Sequence, residues 1–232
     1  MTGLADGATL ITAWEAATAV PEVARGAVVL ARALGRPVED ILDLPLGECA
    51  RLALIASIDV YGELAEVSCR CVHCGEVNEA PVDLRAFLTV PVADQMSLGS
   101  AAPITVHALT TRDLLAAAAC DDPARSLRRR MVRGADVQLS EVELDTAAET
   151  MAGNAAIHLR MRCPCCGEDF VATLDPAELL WERVETSAPA LLAQVATLAA
   201  VFGWTEHDVL AMGEQRRRAY LDLTGARQGA AR

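Results

Sequence analysis

The feature of this sequence that most constrains the fold is a pair of Cys-x-x-Cys-Gly motifs that lie far apart. The first motif runs from Cys71 to Gly75 and the second from Cys163 to Gly167, with 88 residues between Cys74 and Cys163. In each motif the two intervening residues allow both sulfurs to turn towards one ion, and the glycine permits a tight turn. Cysteines that share one ion would force these distant segments to meet.

Alternating apolar residues flank each motif, as is typical of strands. Apolar positions occur in residues 64–69 before the first motif and 77–84 after it. The same alternation occurs in residues 155–161 and 170–174 around the second motif. We therefore predict two β-hairpins with a cysteine motif at each tip, which together would form a zinc-ribbon-like pair.

The remaining sequence predicts helices, so the fold class is α+β and mainly helical. Ser/Thr residues followed three positions later by an acidic residue, as at Thr110, Ser140 and Thr205, indicate helix starts. Residues 90–103 lack periodicity and are predicted to be a loop, and Pro189 is predicted to kink or break a long helix. We expect three regions, which are an N-terminal helical region 1–62, a zinc-ribbon-like region 63–175 with a helical insertion, and a C-terminal helical region 176–232.

Composition excludes some classes of function. Of the 232 residues 53% are hydrophobic, which supplies a sizeable core and argues against a disordered chain. The formal net charge is -12, which argues against a protein that binds nucleic acid by neutralising phosphates. All of its basic residues are arginines.

The sequence also predicts where the protein is found. Residues 1–8 contain no basic residue of the kind that begins a secretory signal, and we identify no apolar stretch that would span a membrane. We therefore expect a cytoplasmic protein without membrane insertion. In a reducing cytosol, paired cysteines are more often metal ligands than disulfides.

The predicted metal ligands are Cys71, Cys74, Cys163 and Cys166, which would hold one structural zinc ion per chain. Four thiolates complete the tetrahedral coordination of zinc and leave no position for a substrate, so this site would not be catalytic. Two alternatives are a redox-active dithiol and a ribbon that has lost its metal.

Other cysteines and a histidine lie close to these ligands or elsewhere in the chain. Cys69 and Cys165 are candidate replacement ligands, whereas Cys49 and Cys120 are expected to be core residues on apolar helix faces. His73 lies inside the first motif, where a role beside the ligands is more usual than direct metal binding.

No enzyme motif occurs in the sequence. It contains no nucleophile elbow, phosphate-binding loop, zinc-protease motif or dinucleotide fingerprint, so we predict that the protein is not an enzyme. The arginines of residues 128–133 could contact RNA or an acidic partner, or form a solvated helix face.

Residues 202–212, from Phe202 to Met212, are followed by Arg216, Arg217 and Arg218 and by Tyr220-Leu221. This run resembles the C-terminal signature of the baseplate hub and assembly proteins of contractile phage tails and extracellular contractile injection systems. The second cysteine motif, the strand that follows it and residues 179–182 also match the order of that family. The resemblance extends from about residue 14 to residue 223, but the first motif departs from it, with Val72 in place of proline.

The resemblance implies a structural or assembly protein that binds other baseplate or tail proteins of the same gene cluster, in the cytoplasm or within a tail-like particle. Trp204 and Arg216, Arg217 and Arg218 are candidate partner-binding residues, because tryptophan and arginine are enriched at interface hot spots. Core packing is an equal alternative for Trp204.

Two other functions are also compatible with the sequence. The first is an acidic zinc-ribbon adaptor in transcription or translation that binds a basic protein. The second is a dithiol oxidoreductase that uses Cys163 and Cys166.

Overall fold

The computed structural model describes residues 3–99, 103–133 and 139–230, with side chains described as far as Thr224. The protein is 60% helical and 17% strand, which confirms the α+β class. The helices are α1 (Gly7–Thr18), α2 (Glu22–Leu34), α3 (Val38–Leu42), α4 (Leu46–Tyr61), α5 (Thr111–Ala118), α6 (Pro123–Met131), α7 (Glu141–Ala152), α8 (Pro176–Phe202), α9 (Glu206–Leu210) and α10 (Glu214–Ala230). The strands are β1 (Leu64–Arg70), β2 (Val77–Asp83), β3 (Gln95–Leu98), β4 (Ile104–His107), β5 (Ile157–Arg162) and β6 (Asp169–Leu174).

Local sequence signals explain where the helices begin and end. The predicted capping boxes at Thr110, Ser140 and Thr205 are all present, so each side chain accepts a hydrogen bond from the backbone three residues later. Asp175 caps α8 in the same way, accepting from the backbone N–H groups of the first turn. Gly35 ends α2 with a φ of 62°, a left-handed conformation that glycine adopts without strain.

Helix α8 runs through the main core. Leu180, Trp181 and Val184 on one face of α8 are buried together with residues of α1, α2 and α4. Helices α2 and α8 lie very close together at Gly26 of α2. A Cβ atom added there would lie 2.5 Å from the carbonyl oxygen of Ala177 in α8. The first and last predicted regions therefore share one core. Their predicted boundaries at residues 62 and 175 stay a prediction. Residues 1, 2, 231 and 232 lie outside the described part of the chain.

The sequence predicted a kink or a break at Pro189, and the break is wrong, because α8 continues through this residue to Phe202. Pro189 is exposed and its neighbours Ala188 and Leu191 are buried. The proline removes one backbone hydrogen bond on the solvent side, and packing of the opposite face maintains the helix.

Helix α8 also corrects the expectation that the sequence has no apolar stretch long enough to span a membrane. Residues 186–205 carry no charged side chain, and α8 is long and apolar enough to cross a membrane by length and composition. A single such helix is weak evidence for a membrane span, since helices in protein cores pass the same test. Within the described residues, α8 buries one face against the other core helices.

Smaller buried clusters adjoin the main core. Leu54 of α4 and Leu179 of α8 pack against the base of both cysteine hairpins, through Ala65, Leu84 and Ile157. A separate cluster joins α6 and α7 to the β3–β4 hairpin, through the buried residues Val106, Met131, Val132, Leu144, Ala147 and Met151.

The sequence predicted a loop over residues 90–103, but part of this segment forms a strand. Residues 95–98 form β3, which pairs antiparallel with β4 so that Met96 lies opposite Val106. Two half-buried apolar residues, Met96 and Leu98, are too few to give a periodic signal in the sequence. Residues 100–102 of the predicted loop lie outside the described residues.

The close contact between α2 and α8 predicts a large effect of a small substitution. Gly26→Ala should destabilise the protein by about 1–3 kcal/mol, because the added methyl group meets the backbone of α8. The measurement is the free energy of unfolding in urea.

Gly213→Ala is the matched control, since in the described part of the chain no heavy atom lies within 4 Å of a Cβ atom at Gly213. It should leave stability unchanged or raise it slightly, by restricting the unfolded chain. Equal effects of the two substitutions would contradict the packing argument.

Candidate metal centre

The two cysteine motifs lie at the tips of two antiparallel hairpins, β1–β2 and β5–β6. The two turns have the same backbone hydrogen bonds. In the first, Cys71 N–H donates to Glu76 O and Gly75 N–H donates to Cys71 O, both at 2.9 Å. In the second, the corresponding bonds from Cys163 and Gly167 are also 2.9 Å long. The sequence repeat is thus a repeat of structure.

The glycine after each motif is required by its backbone conformation. Gly75 has a φ of 76° and Gly167 a φ of 78°, both in the left-handed region that other residues adopt at a cost. No heavy atom of the residues described lies within 4 Å of a Cβ atom built at either position, so space does not limit the residue type.

The fold brings the four predicted ligands, Cys71, Cys74, Cys163 and Cys166, into one cluster. Their Sγ atoms all lie within 4.8 Å of one another. The sulfurs of Cys71 and Cys166 are 3.7 Å apart, and those of Cys74 and Cys163 are 3.6 Å apart. These distances are too long for disulfide bonds and leave space for one ion at the centre, so the cluster could hold a metal ion.

The first cysteine of each motif is buried and the second faces solvent. Cys71 and Cys163 pack with Phe170 and Ala172, whereas Cys74 and Cys166 are exposed. One side of the cluster is therefore shielded from water and the other is open to it.

The thiols of the cluster have different proton affinities. The backbone N–H of Cys166, with the N–H of Cys165 and the thiol of Cys74, lowers the pKa of Cys163 to about 6. For Cys74 the backbone N–H of Glu76 lowers the pKa, but desolvation and the neighbouring thiols outweigh it and raise the pKa to about 12. A bound cation would displace the remaining thiol protons, so metal binding by this cluster strengthens as the pH rises.

The other cysteines lie outside the cluster. Cys69 is half-buried, with its sulfur 3.3 Å from the sulfur of Met161, and Cys165 is exposed. Cys49 is a core residue, as predicted, and burial raises the pKa of its thiol to about 12. The prediction for Cys120 is wrong: it lies two residues beyond the end of α5 and is exposed.

His73 connects the two hairpins. Its Nε2 atom lies 3.3 Å from the carbonyl oxygen of Asp169 in the second hairpin. The residue is exposed and is not among the clustered ligand atoms. It therefore lies beside the cysteine cluster, where the sequence placed it.

Trp204, a predicted partner-binding residue, belongs to an aromatic cluster. Its ring stacks on Phe202 with centroids 4.5 Å apart and meets Tyr220 edge-on at 4.8 Å. Trp204 is half-buried in this cluster, which joins the ends of α8 and α10. Packing within the chain thus covers much of the Trp204 ring.

The three arginines of α10 differ in their surroundings. Arg217 is buried and donates hydrogen bonds to Met212 O and Gln194 Oε1. Arg218 pairs with Glu214, and the Arg216 guanidinium lies 5.7 Å from the ring centroid of Tyr220. Arg216 and Arg218 are exposed, so they are the two members of this group that face solvent.

Sequence reasoning missed Arg183, which anchors the first hairpin to α8. Its guanidinium donates to the carbonyl oxygens of Ser57 and Leu64, both at 3.4 Å, and lies 5.2 Å from the ring centroid of Tyr61. These partners are more than 100 residues away in the chain, so no local pattern could indicate them.

Comparison of the chain with models of known protein families, with curated proteins and with solved structures found no match. The resemblance to the baseplate proteins therefore stays a prediction from the sequence.

The turn geometry predicts the effect of replacing its glycine. Gly167→Ala should cost about 1–2 kcal/mol of stability, because alanine is strained at this φ. Gly167→Asn should cost less, since asparagine tolerates the left-handed conformation and the space around it is open. Urea unfolding of the three proteins would test this, and equal losses for both variants would contradict it.

Proposed function

We propose that Cys71, Cys74, Cys163 and Cys166 bind one structural zinc ion. The observation that supports this most directly is the clustering of the four sulfurs within 4.8 Å. Thiolates at about 2.3 Å from a tetrahedral zinc ion would be about 3.8 Å apart, close to the 3.6 and 3.7 Å between the two pairs of sulfurs. A tetrahedral set of thiolates is the usual donor set for zinc or iron, and two chelating cysteine motifs favour zinc.

In this proposal the ion forms a zinc-ribbon-like unit from hairpins that are distant in sequence. Two-stranded hairpins are marginally stable by themselves. A zinc ion would link the tips of β1–β2 and β5–β6, while the apolar cluster beneath them links their bases. Structural zinc stabilises small zinc-finger peptides by about 10–16 kcal/mol, so the ion would contribute much of the stability of this region.

We further propose that the protein is a non-enzymatic structural or assembly component of the baseplate of a contractile injection system, and that it acts by binding other tail proteins. The sequence resemblance of residues 202–221 and of the second cysteine motif supports this proposal. The chemistry of the cluster agrees with it, because four thiolate ligands leave zinc no position for a substrate.

Elemental analysis of the reduced, untagged protein tests the metal proposal. The expected result is about one zinc ion per chain, with four thiols that become reactive only after a chelator is added. Absence of metal, with the four clustered thiols freely reactive, would overturn the zinc proposal and favour a dithiol function.

Cysteine variants make this test specific. Cys163→Ser combined with Cys166→Ser should abolish metal binding and cooperative unfolding, and Cys74→Ser, at an exposed position, should weaken metal binding in a protein that still folds. Cys165→Ser is the matched control, since Cys165 is an exposed cysteine of the same motif outside the cluster. A soluble double variant with unchanged zinc content would contradict the ligand assignment.

Co-purification tests the baseplate proposal. The tagged protein, expressed together with the proteins that its neighbouring genes encode, should retain at least one baseplate or tail protein through gel filtration. Retention of a transcription or translation component in their place would favour the adaptor function and overturn the baseplate assignment.

A further inference from the structure

Helix α6, the first turn of α5 and the residues between the two helices line an arginine-rich concavity that does not include the clustered cysteines. Its volume is about 730 Å³. This concentration of positive charge is unusual in a chain with a net charge of -12. The lining residues are Asp113, Cys120, Asp122, Arg125, Ser126, Arg129, Arg130 and Arg133.

Two arginines of this helix have carboxylate partners within the chain. Arg128 binds Asp145 through two hydrogen bonds of 2.7 and 2.8 Å and also pairs with Glu141 at 2.8 Å, which attaches α6 to α7. Arg130 lies 3.3 Å from Asp113 of α5. These two side chains are explained by packing between neighbouring helices.

Arg125, Arg129 and Arg133 are different. All three are exposed and line the concavity, and none forms an ion pair with any residue in the described part of the chain. Arg125 and Arg129 are four residues apart and so lie on one face of α6, about 6 Å apart along the helix axis. Arg133 follows the end of the helix and lines the same concavity.

The helix dipole explains only part of this arrangement. Cations are favoured in the last turn of a helix, where Arg128, Arg129 and Arg130 lie. Arg125 lies in the first turn, where the dipole disfavours a positive charge. The stability of α6 therefore gives no reason for an arginine at position 125.

We propose that this surface, formed by Arg125, Arg129 and Arg133, is a docking site for an acidic segment of a partner protein. Guanidinium groups bind carboxylates through paired hydrogen bonds, and a helix with glutamates four residues apart would match the spacing of Arg125 and Arg129. The inference deepens the proposed function, on which it rests, by assigning the chemistry of a partner.

A protein segment fits this surface better than a nucleic acid does. The carboxylates of Asp113 and Asp122 also line the concavity and would repel a continuous row of phosphates. Among the lining residues that the structure describes there is no aromatic ring on which a base could stack. The net charge of -12 adds a long-range repulsion that is stronger for a polyanion than for a short segment.

Fluorescence anisotropy with a defined probe tests the proposal. The probe is a labelled helical peptide with three glutamates at four-residue intervals, and its counterpart carries glutamines at the same positions. The full-length protein should bind the glutamate peptide at least tenfold more tightly, and this binding should weaken as the salt concentration rises. Equal binding of the two peptides, or no binding of either, would overturn the proposal.

Charge reversal locates the site. Arg129→Glu should weaken binding of the glutamate peptide at least tenfold, whereas Arg32→Glu, at an exposed arginine of α2, should weaken it less than twofold. Unchanged circular dichroism and metal content would show that both variants are folded. Equal weakening of peptide binding by the two variants would show that binding depends only on net charge, and would overturn the assignment of the site.

Other occupants are separate outcomes of the same assay. Tighter binding of a labelled oligothymidylate, displacement of the peptide by millimolar inorganic phosphate, or self-association that is lost in Arg129→Glu would each overturn the assignment to an acidic protein partner. A variant that loses peptide binding but still co-purifies with tail proteins would count against this surface alone. Retained peptide binding without co-purification would count against the baseplate assignment alone.

Discussion

The convergence of four sulfurs at the tips of two hairpins is the constraint on which the arrangement of the β region depends. Each hairpin has only two strands, and each buries only its inner face, against α4 and α8 at the base and against the other hairpin near the tip. Sheets of this size need a further source of stability. The cysteine cluster lies where the apolar contact ends, so a bound ion would act at the point where packing contributes least.

The helical core supplies the platform that brings the hairpins together. Its helices contain many alanines, and Gly26 of α2 lies against the backbone of α8, so these two helices are nearly in backbone contact. Arg183 then connects α8 to the first strand of the β1–β2 hairpin. The position of the cysteine motifs is thus determined by contacts that begin in the helices.

Much of this architecture could be predicted from local sequence. The cysteine motifs, the flanking alternation and the capping residues Thr110, Ser140 and Thr205 act over a few residues, and the structure has hairpins and helix starts at those places. The errors concern tertiary packing. Burial of one face keeps α8 continuous through Pro189, and the short strand β3 depends on its pairing with β4. Cys120 lies beyond the end of α5 and is exposed, although its neighbours in sequence are apolar.

The paths of the chain into and out of the hairpin pair have a further consequence. Leu84, just after β2, and Ile157, at the start of β5, belong to the same buried cluster, although 72 residues separate them. The intervening segment therefore begins and ends at nearly the same place. Between these ends it also contacts the helical core, where Pro45 and Thr110 form a β-bridge. Because packing of the hairpin bases holds its two ends together, the length of chain between them does not set the distance between the two hairpins.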